Sequence, residues 1–193
     1  NTTNMGHMFR SYDGAIPDVS NWDVSSVTSM AYMFHNADSV NPDVSAWNTQ
    51  SLQNLDSMFS NNSSANPDVT NWNVSNVNNF RLMFKNASNA NPDVSNWDVS
   101  SATNMAEMFR NVSLFNRDLS NWTIPNVNNM NEIFRGSGLS TTNYSNALIN
   151  FAGQSTQNNL LFGAGTIQYN SSAASARSTL EGRGWIITDG GQI

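Results

Sequence analysis

The sequence has no cysteine. Disulfides, thiolate metal sites and cysteine nucleophiles are therefore excluded together, whatever compartment the chain occupies. Charge is nearly as scarce: Asp, Glu, Lys and Arg make up 11% of residues, and eight cations against fourteen anions leave a net charge of -6. So few Lys and Arg, set in a net field that repels phosphate, exclude nucleic acid as a partner. Long apolar runs are missing as well. No stretch reaches the about eighteen residues that a membrane-spanning helix needs, and no basic-then-apolar leader opens the chain. A chain that begins at Asn1 without Met reads as a module of a larger protein.

Catalytic chemistry also lacks its parts. His7 and His35 stand apart from any motif, Glu occurs only at 107, 132 and 181, and GxSxG, HExxH and phosphate-loop patterns do not occur. Gly163-Ala164-Gly165 is too short for a phosphate loop and reads as a turn. The sequence predicts neither an enzyme nor a bound cofactor.

What the chain has is asparagine, 33 of 193 residues, together with ten Phe, nine Met and six Trp. The amides, with Ser and Thr, must make the surface polar, while the aromatics and Met supply a core that a disordered chain of this polarity would lack. These residues recur with a fixed period. Trp stands at 22, 47, 72, 97 and 122, and Phe at 9, 34, 59, 84, 109 and 134. Met8, Met33, Met58, Met83 and Met108 precede the Phe residues, with Ile133 in the sixth copy. Asp18, Asp43, Asp68, Asp93 and Asp118 form a further column, each followed by Val or Leu and then Ser or Thr. A 25-residue period kept without insertion predicts that each copy makes one coil and stacks on the next, with equivalent residues about 5 Å apart and the array about 25 to 30 Å long.

Within a copy, Met30, Met33 and Phe34 have the i, i+3, i+4 spacing of an apolar helical face, and Ser26 or Thr28 can cap it. A short helix or 3-10 turn is expected there. The segment Asn41-Pro42-Asp43-Val44-Ser45-Ala46-Trp47 reads as the strand that joins coil to coil, with Pro17, Pro42, Pro67 and Pro92 opening each strand. After residue 139 the period stops, and 140–193 reads as a C-terminal cap continuous with the array. Ser140 or Thr141 would cap a helix bearing Tyr144, Leu148 and Phe151; Ser171 or Ser172 would cap a second through Ala173, Ala176 and Leu180; and Trp185-Ile186-Ile187-Thr188 would close the sheet.

The recurring MxxMF, as in Met105-Ala106-Glu107-Met108-Phe109, followed by an NPDVSNWDVS segment such as Asn91 to Ser100, resembles the BspA-like leucine-rich repeats of bacterial surface proteins, a Mycoplasma-type lipoprotein repeat. The resemblance covers roughly residues 5 to 139. It implies an α/β repeat solenoid, a right-handed leucine-rich-repeat-like coil with a parallel sheet and an α/β cap, displayed outside the cell or on its surface. It implies no ligand. The function expected is an interaction or adhesion module that binds a protein, peptide or glycan. The alternatives are a spacer that binds nothing or a face that orders water or ice, though no repeating Thr-x-Thr supports the last.

Two sets of residues are candidate contacts. The first is the column Asp18, Asp43, Asp68, Asp93 and Asp118, where stacked carboxylates should repel unless something compensates. Each can cap its own turn, the column Arg10, His35, Lys85, Arg110 and Arg135 can neutralise them in part, and Ca²⁺ is the other compensation, although no DxDxDG loop supplies its usual six or more oxygens. The second is Tyr12, Tyr32 and Arg81, where the copies differ and a specific surface would form. The Trp column is expected in the core, and the Asn columns at 21, 71, 96 and 121 and the Asn or Asp column at 23, 48, 73 and 98 are expected to bond to the backbone of the next coil.

Overall fold

A computed structural model describes residues 2–193. Parallel bridges link Asn4 to Ser29, Ser29 to Asn54, Asn54 to Asn79, Asn79 to Asn104 and Asn104 to Asn129, each step one 25-residue copy. From each bridge a ladder runs through the Met-Phe segment. Met5, His7, Phe9 and Ser11 donate their N–H groups to the carbonyls of Ser29, Ala31, Met33 and His35, and the next copies repeat this at Met30, Tyr32, Phe34 and Asn36.

Two expectations are corrected by this ladder. The MxxMF segment is not helical, and the Pro-Asp-Val-Ser segment is not the strand; the Met-Phe segment itself joins coil to coil. Its alternate N–H groups reach the next copy, while those between close three-residue turns, as Met33 does to Met30 and His35 to Tyr32. An α-helix is ruled out because two residues per copy sit at positive φ. One column is His7, Tyr32, Ser57, Leu82, Glu107 and Glu132, and the other is Ser11, Asn36, Asn61, Asn86, Asn111 and Gly136. Met and Phe at helical spacing therefore reflect an arc with two left-handed residues. The four prolines need no edge position, since their segments carry no ladder.

Asn suits the second left-handed column because its short amide tolerates that conformation and bonds along it. The Asn86 amide donates to Asn61 Oδ1 at 2.6 Å, and that of Asn111 to Asn86 Oδ1 at 2.8 Å. Asn86→Ala should cost about 1–2 kcal/mol and Asn86→Gly less, because glycine keeps the backbone and loses only the amide rung; urea unfolding of both variants checks the order.

The core fills the inside of the stack. Phe9, Phe34, Phe59, Phe84, Phe109 and Phe134 stack with centroids 5.5 to 6.2 Å apart, one ring from each copy. Trp47, Trp72, Trp97 and Trp122 are buried. Each indole N–H reaches back 28 residues to the carbonyl of Val19, Val44, Val69 and Val94 at 2.8–3.0 Å, so the Trp column is both core and cross-coil clamp. Polar rungs add to it: Asn41, Asn66 and Asn91 accept from the backbone N–H of Asn66, Asn91 and Asn116.

Beyond residue 139 the ladder continues on new elements. Helix α1, Thr141–Ala152, starts where the Ser140 hydroxyl accepts from Asn143 N–H and buries Tyr144, Leu148 and Phe151. Strand β1, Leu161–Gly163, lies against the last copy through the Met130–Phe162 bridge and pairs in parallel with β2, Ile186–Thr188. The segment around Gly163 thus forms a strand rather than only a turn, and it has to be glycine: a Cβ there would sit 2.6 Å from Glu132 N. Between the strands, a 3-10 turn over Ser171–Ala173 leads into α2, Ala174–Gly182, and the capping side chain is Asn170 rather than Ser171 or Ser172. Trp185 repeats the clamp on Gln157 at 2.9 Å, again 28 residues back. Asp189, nearly fully buried, takes Arg177 Nε and the Tyr144 hydroxyl, both at 2.9 Å, and pins the closing strand to both helices.

Candidate ligand-binding face

The Asp column is local structure. Asp18, Asp43, Asp68, Asp93 and Asp118 each accept the N–H of the residue two further on, at 2.9–3.2 Å, and the Ser45 and Ser95 hydroxyls add a bond to the same oxygen. Asp23, Asn48, Asn73 and Asp98 make the same turn, so this column bonds within its own copy and not to the next coil. Asn21, Asn71, Asn96 and Asn121 point to solvent. Among the described residues no group of three His, Asp or Glu side chains is gathered at one point.

Hydrogen bonds from the following Ser side chain and backbone hold the carboxyls of Asp18, Asp23, Asp43, Asp93 and Asp98 below the usual Asp range. Because these groups favour the charged form when folded, their contribution is present above about pH 4 and is lost as pH falls below it. Asn offers the same acceptor without the proton, as Asn48 and Asn73 already show. The triple variant D43N/D93N/D98N should therefore melt at the wild-type temperature at pH 7 and keep more of that stability at pH 3; thermal melts at both pH values check this, and an equal acid loss would contradict it.

The cationic column does not neutralise these aspartates. Arg10, His35, Lys85, Arg110 and Arg135 lie on the ladder, where the Met and Phe of the second and later copies are buried and these five side chains are half-buried or exposed. There Lys85 meets Glu107 at 2.7 Å, and Arg110 bridges Glu107 and Glu132 at 2.8 and 2.7 Å. Arg135 closes the row on Glu132 at 2.6 Å. These pairs hold the Glu107 carboxyl below its usual range in spite of its partial burial, which acts the other way. In the earlier copies Arg81 pairs with Asp56 at 3.3 Å; burial opposes its charge, but Asp56 and the Tyr32 hydroxyl outweigh it and raise the guanidinium.

Tyr32 and Arg81 are thus brought to one face, and Tyr12 is not: it packs on Phe9 at the turn beyond the ladder, its hydroxyl directed at Ala15 O. The sequence pattern alone did not mark His7, Arg10, His35, Glu107 or Glu132 as members of this face. A signal was present, because two ladder columns vary strongly from copy to copy and hold charge: Gly6, Ala31, Asp56, Arg81, Ala106 and Asn131 in one, and His7, Tyr32, Ser57, Leu82, Glu107 and Glu132 in the next.

The ladder face carries five of the eight Lys and Arg, both His and three of the fourteen carboxylates, a net of +2 with His neutral, which leaves -8 on the rest of the chain. Exposed or half-exposed pairs of this kind add about 0–1 kcal/mol each, so folding does not explain why scarce charge gathers there. Where the face meets the cap, Gly163 and Gly165 lack side chains and leave a cleft of about 390 Å³ beside Glu132, Arg135, Thr166 and Thr188.

Stacked copies with constant inner columns and one variable, charged ladder face define a 25-residue repeat protein. A family described as Mycoplasma protein of unknown function, DUF285, matches the chain over residues 1–76 and 58–172, and the protein belongs to that family. No curated protein and no solved structure matches the chain. The family has no established function and brings no enzyme class with it.

Proposed function

We propose that this chain is an interaction or adhesion module of a larger extracellular or cell-surface protein, a right-handed leucine-rich-type solenoid that binds a protein, peptide or glycan through its ladder face. The observation that carries this reading is the concentration of repeat-variable charged and aromatic residues on one face of a body otherwise covered by recurring Asn, Ser and Asp turns. A spacer has no need of such a face. Its outward columns would be as uniform as the Asp column, whose oxygens are already engaged in turns. No nucleophile with its base, and no cluster of metal ligands, supports catalysis among the described residues.

Glycan and peptide arrays probed with the whole 193-residue chain test the proposal. Specific ligands should appear, and their binding should survive D43N/D68N/D93N and fall with Arg81→Gln or Lys85→Gln. A blank array would overturn the adhesion reading in favour of the spacer.

A further inference from the structure

Among the described residues, Arg10 is the one cation of the eight with neither a carboxylate nor a backbone carbonyl as partner. Arg81, Lys85, Arg110, Arg135 and Arg177 hold carboxylates, and Arg117 and Arg183 hold carbonyls at 2.8 Å. Arg10 is exposed, and its guanidinium touches only His7 Nδ1 at 3.3 Å and the Tyr32 ring, 5.4 Å from the centroid. Around it the aromatics form a platform. The His7 ring lies parallel to Tyr32 at 4.9 Å, and His35 meets Tyr32 edge-on at 5.4 Å. Amides and hydroxyls border this platform: Asn4 holds the Gly6 turn, and Asn36 donates to Ser11.

Resting on the adhesion reading above, we propose that Arg10, His7, Tyr32 and His35 form a subsite for the carboxylate of an acidic sugar. A guanidinium with no intramolecular anion is an open partner for a carboxylate. Flat aromatic rings beside it suit the apolar face of a sugar, and the bordering amides and hydroxyls suit its hydroxyl groups. An acidic peptide fits less well. Its side-chain carboxylates offer the same charge, but a flexible peptide brings no flat apolar face to lie on the rings, and the ladder N–H groups of the first copy are spent on the next coil.

Proton uptake should accompany binding. His35 is held below the usual imidazole range by partial burial first and then by Arg10 and His7, with Asp56 opposing, and its buried Nδ1 has no hydrogen-bond partner. Arg10, His7, Asp56 and the Tyr32 ring are the groups facing it, with Arg81 beyond Asp56. A bound carboxylate would offset the Arg10 charge and favour the charged imidazole of His35. By linkage, affinity rises as pH falls.

The test is titration of the whole chain with a glucuronate-containing tetrasaccharide, sialyllactose, neutral chitotetraose and poly-glutamate at pH 5.5 and 7.5. At least one acidic sugar should bind, by up to about tenfold more tightly at the lower pH, with chitotetraose and poly-glutamate at least tenfold weaker. Comparing the two acidic sugars separates a uronate from a sialate. Arg10→Gln should weaken binding about tenfold or more, whereas Arg117→Gln, the same charge change away from the ladder face, should leave it unchanged. Equal loss in both variants, equal binding of poly-glutamate, or no acidic-sugar binding would overturn the subsite. The broader adhesion reading stands or falls separately, on whether arrays give ligands that Arg81 or Lys85 variants lose.

Discussion

Trp97→Ala should lower the folding free energy by about 3–5 kcal/mol, among the largest losses any single substitution in this chain can produce. The indole is 3% exposed, so its removal leaves a cavity between two coils. It also removes the indole N–H bond to the Val69 carbonyl at 3.0 Å, which leaves that carbonyl with the backbone N–H of Trp72 as its donor. Trp97→Phe separates the two effects: much of the volume remains, and the lost hydrogen bond alone should cost about 0.5–1.5 kcal/mol. Trp22 serves as the internal control. It is only partly buried and makes no such bond among the described residues, so Trp22→Ala should cost less than half as much. Urea unfolding of the three variants reads the order; equal costs for Trp22 and Trp97 would contradict the clamp.

Deletions test the period itself. Removing residues 56–80 joins Leu55 to Arg81 and returns every column to register, so the shortened chain should fold cooperatively, with a melting temperature lower by about 10 °C or less. Removing 56–79 leaves one residue too many in the ladder. Relative to the preceding coil, Phe80 and Phe84 then fall on outward columns and Leu82 and Met83 take the places of Met and Phe. A one-residue slip exchanges inside for outside, and this variant should lose several kcal/mol more than the other or unfold in two steps. Thermal melts followed by circular dichroism decide it. Similar melts for the two deletions would show that stacking does not depend on the 25-residue register.

The constant columns were legible in the sequence because packing and turn chemistry demand one residue type per position. Phe34 must match Phe59 to stack at 5.5 Å, and Asp43 must be followed by a residue whose N–H it can hold. Ser140 and the apolar face of α1 were legible for the same reason, since caps and helical spacing are local signals. The Met-Phe segment misled. Its i, i+3, i+4 spacing is shared by an α-helix and by an arc with left-handed residues at Tyr32 and Asn36, and periodicity cannot tell them apart when Tyr occupies a position that usually favours Gly or Asn. The ladder face was hidden for a related reason. The sequence offers Lys85 as partial compensation for the Asp column, yet its partner is Glu107 in the following copy, 22 residues on. Only the coil geometry places those residues together.

On the proposed function, constant columns hold the stack and the ladder face binds. One comparison tests it most directly. A variant with Arg10, Tyr32, Arg81, Lys85, Arg110 and Arg135 replaced by Asn or Ser is set beside the wild type on the same glycan and peptide arrays, with thermal melts as the control for folding. The account predicts a variant that still folds, since its lost ion pairs are worth about 0–1 kcal/mol each, and that binds none of the wild-type ligands. Retention of those ligands by the folded variant would contradict it.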